Sequence, residues 1–522
     1  MYRRVFRRFA LAAALASTLV GWASASFAAG WTPLVNLAPQ SPGTMLMLPN
    51  GTVMVQGNSG QFMRLTPDAT GSYVNGTWTT NTIANMGIGR LYYASHILPN
   101  RKVWVLGGEY TSTVGGGFSA TWTRTGEIYD MVTNTWSAIT PHPDSQFGDD
   151  PTMVLPGGKI LAGSLSTRNT FLYDIASNTW SGAVPKFYND QSDEESWTLL
   201  PDNSVLTYDI FRSIATGGAY AERYSPLTNN WLPYSPSDGT ANGTIPQLSS
   251  SAMGFEIGPA LRLQDGRIFT VGATGHTALY DVSTNTWSAG PDVRDAANAI
   301  FGATDSPGAV MPNGHVLFTA DASPQFTNPF HAPTKVFDFN PSTNAISQVS
   351  PAPSGSLATN LNGVPVFVTR MLMLPTGQVL VVDSSRQLWV YTPDGAAPMN
   401  LRPSVNSVNY AGADAARPGR GAFLLTGKQL NGQNAGSNYG DDVESDQNYP
   451  IVRLRSAAGA MFYCETYNWT STGVATGSAP EAVNFTLPAG ISAGTYSLQV
   501  VGAGIGGVPV YLAITVAQTT GS

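Results

Sequence analysis

A single cysteine, Cys464, stands in 522 residues, so no intrachain disulfide can staple this chain and its stability must come from burial. Cys464 lies in the run Met461-Phe462-Tyr463-Cys464-Glu465-Thr466-Tyr467, which reads as a strand and makes it a small buried hydrophobe rather than a reactive thiol. Charge is also scarce. Only 11% of residues are charged, with 26 Lys and Arg against 33 Asp and Glu, a formal net charge of −7. That balance argues against a nucleic-acid partner, because neutralising phosphates needs clustered cations. Five histidines are present, none after His331 and none at zinc-ligand spacing from another. No Gly-x-Ser-x-Gly elbow, P-loop or dinucleotide fingerprint occurs. No apolar run beyond the N-terminus approaches membrane-spanning length.

The N-terminus reads as a targeting segment. Arg3, Arg4, Arg7 and Arg8 precede an apolar stretch from Phe9 to Val20, then small residues with Ala23-x-Ala25 and a second cut after Ala28. Residues 1–28 are therefore expected to be a signal peptide, and the protein to be secreted or periplasmic. The Arg-Arg pairs suit twin-arginine export and equally an ordinary basic n-region. Its removal takes four of the 26 basic residues, leaving 22 against 33 acidic ones and a net charge of −11.

What is abundant points to short strands and tight turns: 55 Gly, 36 Pro and 10% aromatics, in a chain too long for one ordinary core. One pattern recurs, an apolar strand, a turn of the Leu-Pro-Asn-Gly type, and a second apolar strand. It begins at Leu48, Leu98, Leu155, Leu200, Leu263, Met311 and Leu374, giving seven hairpins 45 to 63 residues apart. A second pattern places an aromatic pair seven residues apart, Tyr129 and Trp136, Tyr173 and Trp180, Tyr224 and Trp231, Tyr280 and Trp287. Phe339 and Ile346 keep the spacing with weaker chemistry. These residues read as outer hairpins packing between neighbouring blades. The expectation is an all-β chain: a seven-bladed kelch-type propeller over residues 29–401, followed by an immunoglobulin-like sandwich over 402–522. Trp31-Thr32-Pro33 reads as the strand that completes blade seven and closes the ring.

A kelch propeller joined at Arg402-Pro403 to a terminal sandwich resembles galactose oxidase and glyoxal oxidase, the copper radical oxidases, over nearly the whole mature chain. The resemblance implies copper ligands and a tyrosine crosslinked to cysteine. Tyr92 occupies the place of the radical tyrosine, but its partner position reads Gln40-Ser41-Pro42-Gly43 without a cysteine. The family's Tyr-His pair is replaced by Phe367-Val368, and the sandwich supplies no histidine. The architecture is expected to carry over and the copper chemistry is not.

Blade geometry locates the site instead. Residues six to eight positions before each hairpin turn, and loops after each second strand, should converge on one axial face. These offsets bring Asp149 and Asp150, Glu194 and Glu195, Glu256 and Asp305 from four consecutive blades. Blade two adds Arg90, Tyr92 and Tyr93, and blade seven adds Arg370. The loops add Glu109, Asp209, His276, Asp321 and Asp383. Such crowding of carboxylates calls for shared protons or a cation. The leading expectation is a pocket for a small polar ligand or glycan, with Tyr93 and Trp197 as stacking surfaces beside Arg90, Tyr92 and Arg370. The alternative is a non-radical hydrolase or lyase using Glu195, Glu256, Asp305 or Asp150 as acid or base, assisted by His276. A divalent cation such as calcium is the cofactor such a cluster suggests. A separate acidic loop in the sandwich, with Asp441, Asp442 and Glu444, has the oxygen density for calcium but no EF-hand spacing, and a solvated loop is the competing reading. A protein partner on the propeller rim leaves no distinctive mark in the sequence.

Overall fold

The computed structural model describes residues 29–322, 330–350, 356–439 and 448–521. The N-terminal segment 1–28 and the acidic residues Asp441, Asp442 and Glu444 lie outside the described residues.

Each repeated turn joins two buried strands, and each unit grows outward into a four-stranded antiparallel sheet. Blade four shows the plan, with Thr198–Leu199, Val205–Asp209, Tyr220–Ser225 and Asn230–Pro233 in sequence order from the axis outward. Its inner strands are Val- and Leu-rich because neighbouring blades cover both faces, whereas the outermost strand alternates towards solvent. Among the described residues the ring holds seven sheets built on this plan, three of them with one or two short added strands. The last is closed by the first strand of the chain: Gly30–Pro33 pairs antiparallel with Trp389–Thr392, in register Trp31↔Tyr391 and Thr32↔Val390. Closure removes the unpaired edge that an open propeller would expose.

The Tyr and Trp spacing has a simple cause. In the outer hairpins, Asn134, Asn178, Asn229 and Asn285 take left-handed backbone, with φ between 51° and 57°. The Tyr five residues earlier donates its hydroxyl to each Asn side-chain oxygen, at 2.8, 2.9, 2.7 and 3.0 Å. The Trp opposite that Tyr packs on it, with ring centroids 4.7 to 5.6 Å apart. Three of these indoles donate to a carbonyl of the preceding blade (Trp136 to Ala84, Trp180 to Thr140, Trp287 to Tyr234), and Trp231 donates to the Thr170 hydroxyl. One motif thus caps a turn and staples two blades, each ring pair adding roughly 0.5–1.5 kcal/mol beyond its burial.

Among the described residues the C-terminal sandwich is built from seven main strands between Ser404–Ala413 and Val510–Ile514. Met461–Tyr467 belongs to both of its sheets, pairing with Ile451–Arg455 through its first half and with Glu481–Thr486 through its second. Cys464, at the changeover, is buried, and burial pushes its thiol well above the usual range. The sandwich docks on the hairpin turns of blades one and two. Arg101, in the second turn, pairs with Asp414 and with Glu465 at 2.7 Å and lies 3.4 Å over the Tyr467 ring. Gly51, in the first turn, needs φ +75°, and a Cβ there would come within 2.3 Å of the Tyr463 ring.

From this platform the sandwich sends one segment up the propeller axis. Ser437–Asn438 pairs antiparallel with Gly308–Val310, the innermost strand of blade six, in register Ala309↔Ser437 and Gly308↔Asn438. Beyond it, Tyr439 donates its hydroxyl to the Phe367 carbonyl at 2.5 Å and lies under the Arg370 guanidinium, 4.1 Å from its ring centroid. The axis is therefore filled from the sandwich side. Space for a ligand remains at the opposite end, where the innermost strands begin.

Candidate functional site

At that end lies a cavity of about 170 Å³ lined by Tyr92, Glu109, Tyr110, Asp149, Glu194, Glu256, Asp305, Phe330 and Phe367. It far exceeds the ~10–15 Å³ needed for one water and falls below the ~300 Å³ of drug-sized sites, so it suits a small occupant. Its two sides differ in chemistry. Tyr110, Tyr92, Phe367 and Phe330 form a continuous aromatic wall, with successive ring centroids 5.9, 6.4 and 4.8 Å apart. Facing it are carboxylates from successive blades.

The backbone shows how they get there. Tyr92, Asp149, Glu194 and Asp305 each stand six residues before the Leu or Met that opens their blade's hairpin turn. All four adopt left-handed backbone, with φ of 52°, 51°, 65° and 48°. Non-glycine residues in this region cost on the order of 1–3 kcal/mol each and persist where the surrounding structure demands them. Here the twist at the mouth of each innermost strand turns the side chain towards the axis. Glu256 enters one position earlier in blade five, and Glu109 and Tyr110 arrive on the loop after the second strand of blade two. That loop is held over the mouth by a small sheet in which Tyr110–Ser112 pairs with Gly89–Leu91.

Carboxylate oxygens of Glu194, Glu256 and Asp305 lie within 4.8 Å of one another, a spacing able to hold a metal ion. Glu194 and Glu256 are buried. The negative field reaches the aromatic wall: the adjacent Glu109 carboxylate, then burial and Asp149, raise the Tyr110 hydroxyl above its usual value. No Lys, Arg or His is among the described residues lining the cavity.

The structure separates the expected site residues into two groups. Glu256, Asp305 and Tyr92 meet at the cavity, as does Glu109. Asp150 and Glu195 do not line it; their neighbours Asp149 and Glu194 do. Consecutive residues of an extended chain face opposite ways, so once the left-handed residue points to the axis the next turns into the blade packing. Glu195 accordingly joins a closed cluster around Lys186. Tyr93 and Trp197 are 1% and 0% exposed and do not line the mouth cavity. Trp197 instead donates its indole N–H to Glu195 at 3.0 Å. Arg90 is equally buried and pairs with Glu127 at 3.1 Å, while Arg370 holds the Phe367 and Thr369 carbonyls. His276 lies away from the cavity, with Nδ1 at 2.7 Å from Asp292, in a loop exposed beside Arg294. Among the loop carboxylates, Asp209 joins the Lys186 cluster, and Asp383 accepts from Asn360, Ser385 and Trp389.

Asp321 has a supporting place. Its Oδ2 accepts the backbone N–H groups of His331 at 3.2 Å and Val366 at 3.3 Å, the neighbours of the wall residues Phe330 and Phe367. Burial pushes its carboxyl up to about 7. Tyr110 and Phe330 escape sequence reasoning because both sit outside the repeated blade strands, Tyr110 in a small extra sheet and Phe330 in an irregular connection. Asp149 and Glu194 were within reach, since the offset of six that fits Tyr92 and Asp305 selects them over their neighbours.

Fold and site together define a class: a seven-bladed β-propeller carrying a C-terminal β-sandwich, of galactose oxidase-like architecture, with an acidic axial pocket. No protein-family model and no curated protein sequence matches the chain. Among solved structures, the chain is similar to a fungal alcohol oxidase of the AA5 family in complex with copper, at TM-score 0.51 and 14% identity, covering 94% of this chain and 100% of that one. YCF48 bound to D1 peptide superposes at TM-score 0.43 and 15% identity, covering 71% of this chain and 98% of that one. The first likeness is one of fold. Copper does not suit the residues found here: Phe367 offers no donor atom, and the lining supplies hard oxygens without imidazole or thiolate.

Proposed function

We propose that this protein is exported through its N-terminal segment and binds a small polyhydroxylated ligand, a carbohydrate, in the axial mouth of its kelch-type propeller. A hard divalent cation held by Glu194, Glu256 and Asp305 bridges ligand and protein. The observation that carries this reading is the convergence of these three carboxylates within 4.8 Å, opposite an aromatic wall. Five carboxylates around one small cavity repel one another, and a cation with oxygen preference, such as calcium, relieves that repulsion while leaving coordination positions open to hydroxyls. The aromatic wall accepts the apolar face of a sugar ring, and the acidic side accepts its hydroxyl hydrogens.

The same three carboxylates support a second reading. Paired carboxylates ~5–5.5 Å apart serve as nucleophile and acid in retaining glycoside hydrolysis. Glu256 and Asp305 then keep the acid or base roles that the sequence suggested for them, and Glu194 takes the one suggested for Glu195.

Calorimetric titration of chelator-treated protein with calcium, and then with a panel of monosaccharides in its presence and absence, tests both. Sugar binding that requires calcium and is weakened at least tenfold by Glu194→Gln and by Asp305→Asn supports the first reading. Consumption of the sugar or of its glycosides supports the second. If sugars bind equally well to both variants, the axial site is not the ligand site.

A further inference from the structure

Glu195, turned away from the mouth, enters a closed chamber between blades three and four with Lys186, Asp190, Asp209 and Glu222. None of the five is more than 3% exposed. The Lys186 ammonium pairs with Glu195, with Asp209 Oδ1 at 3.0 Å and with Glu222 Oε1 at 3.6 Å, and donates to the Gln191 carbonyl at 3.2 Å. Most remaining acceptors are also engaged. Glu195 Oε2 receives the Trp197 indole and the Thr207 hydroxyl, each at 3.0 Å, and Glu222 Oε2 receives the Phe187 N–H at 2.6 Å. Asp190 Oδ2 and Asp209 Oδ2 are different: both are buried and have no hydrogen-bond partner.

One ammonium therefore faces four carboxylates in a site sealed from water, where an uncompensated charge is strongly unfavourable. The geometry divides the cluster into two triangles sharing an edge. Lys186 serves Glu195, Asp209 and Glu222. Oxygens of Asp190, Glu195 and Asp209 form the other triangle, all within 4.8 Å of one another. The two oxygens with neither a hydrogen bond nor an ion pair to Lys186, Asp190 Oδ2 and Asp209 Oδ2, belong to residues of this second triangle.

We propose that Asp190, Glu195 and Asp209 bind a second, structural divalent cation, which stands beside Lys186 in a two-cation cluster. Three positive charges then face four negative ones. A donor set of carboxylates without imidazole or thiolate selects the hard class, Mg²⁺, Mn²⁺ or Ca²⁺. The ion ties the connection carrying Lys186 to Glu195 onto the end of strand Val205–Asp209. That connection also presents Glu194 to the mouth, so the buried ion acts as a positioning device for the axial pocket. It does not depend on what the mouth binds.

Manganese is the probe. Protein stripped with chelator is unfolded, refolded with Mn²⁺ and desalted, and bound metal is counted by mass spectrometry and by the paramagnetic signal. The mouth variant Glu194→Gln with Asp305→Asn is expected to retain one Mn²⁺ per chain, and adding Asp190→Asn is expected to reduce it to background. Asp209→Asn provides the same readout if the Asp190 variant does not fold. A mouth variant that holds no Mn²⁺, or an Asp190 or Asp209 variant on that background that still holds one, overturns the proposal. Wild type with two ions supports both sites. Wild type with one ion, kept in the mouth variant, removes the axial cation and leaves the buried one standing.

Discussion

The rim and the mouth of this propeller repeat the same backbone state and use it differently. At the rim, left-handed residues are asparagines, Asn134, Asn178, Asn229 and Asn285, the side chain that tolerates this region best among those bearing a Cβ. Each has its oxygen satisfied by a tyrosine hydroxyl of its own hairpin. At the mouth the equivalent state is held by Tyr92, Asp149, Glu194 and Asp305, three carboxylates and a phenol, which share the cavity they face. The rim solves a local folding problem with the residue suited to it. The mouth places tyrosine and glutamate as well as aspartate in this state and turns them to a cavity, which is the pattern expected where side-chain placement serves a ligand.

Charge sharpens the contrast most. Asp321, fastening the two segments that carry Phe330 and Phe367, is raised from 3.8 to about 7 by burial. A carboxyl raised on folding contributes stability below its unfolded value and loses it as pH rises through the folded value. Stability should therefore fall between about pH 4 and pH 7, and Asp321→Asn, which can still accept both N–H groups, should remove that fall. At ~1.4 kcal/mol per unit the variant gains up to ~4 kcal/mol at pH 8 and little at pH 4. Denaturant midpoints at the two pH values measure it, and parallel curves for variant and wild type would rule out a buried Asp321 charge.

A smaller effect is expected at the rim. Asn178→Ala adds left-handed strain, at ~1 kcal/mol, and strands the Tyr173 hydroxyl and the Thr140 N–H that share its side-chain oxygen, at ~1 kcal/mol each. Asn178→Gly removes only the hydrogen bonds and should cost about a third less. Equal losses for the two variants would show that backbone strain is not what the asparagine relieves.

The smallest change in stability, and the most telling, is expected at the mouth. Glu194→Gly should leave the unfolding midpoint unchanged or raise it by up to ~1 kcal/mol, because the strained φ and a crowded charge disappear together. Glycine thus acts with opposite sign at the two places. A loss above ~1 kcal/mol for Glu194→Gly would make its left-handed backbone a folding device like that of the rim.

Much of this was legible beforehand. Seven turns opening at Leu48, Leu98, Leu155, Leu200, Leu263, Met311 and Leu374 count the blades, and Trp31-Thr32-Pro33 pairs where its missing blade required. The face of the site was also readable, because an innermost strand that runs towards its turn must start at the opposite end. Within the site the reading failed by single residues. Asp150 and Glu195 are as acidic as Asp149 and Glu194; only the offset of six shared with Tyr92 and Asp305 separates them, and its cause is the left-handed backbone at that position, which the fold imposes.

The amino-acid sequence by itself determined the repeat, the closure and the axial face, since turn chemistry and apolar strands are local properties of each unit. Tertiary structure alone decided the rest. It turned Glu194 to the mouth and Glu195 into the chamber, since the left-handed twist is held by contacts across blades. It also gathered Lys186, Asp190, Asp209 and Glu222 around one point, and raised the Ser437–Asn438 segment of the sandwich into the axis. Convergence of this kind depends on how many blades close the ring and how each is rotated, and no stretch of a single blade encodes it.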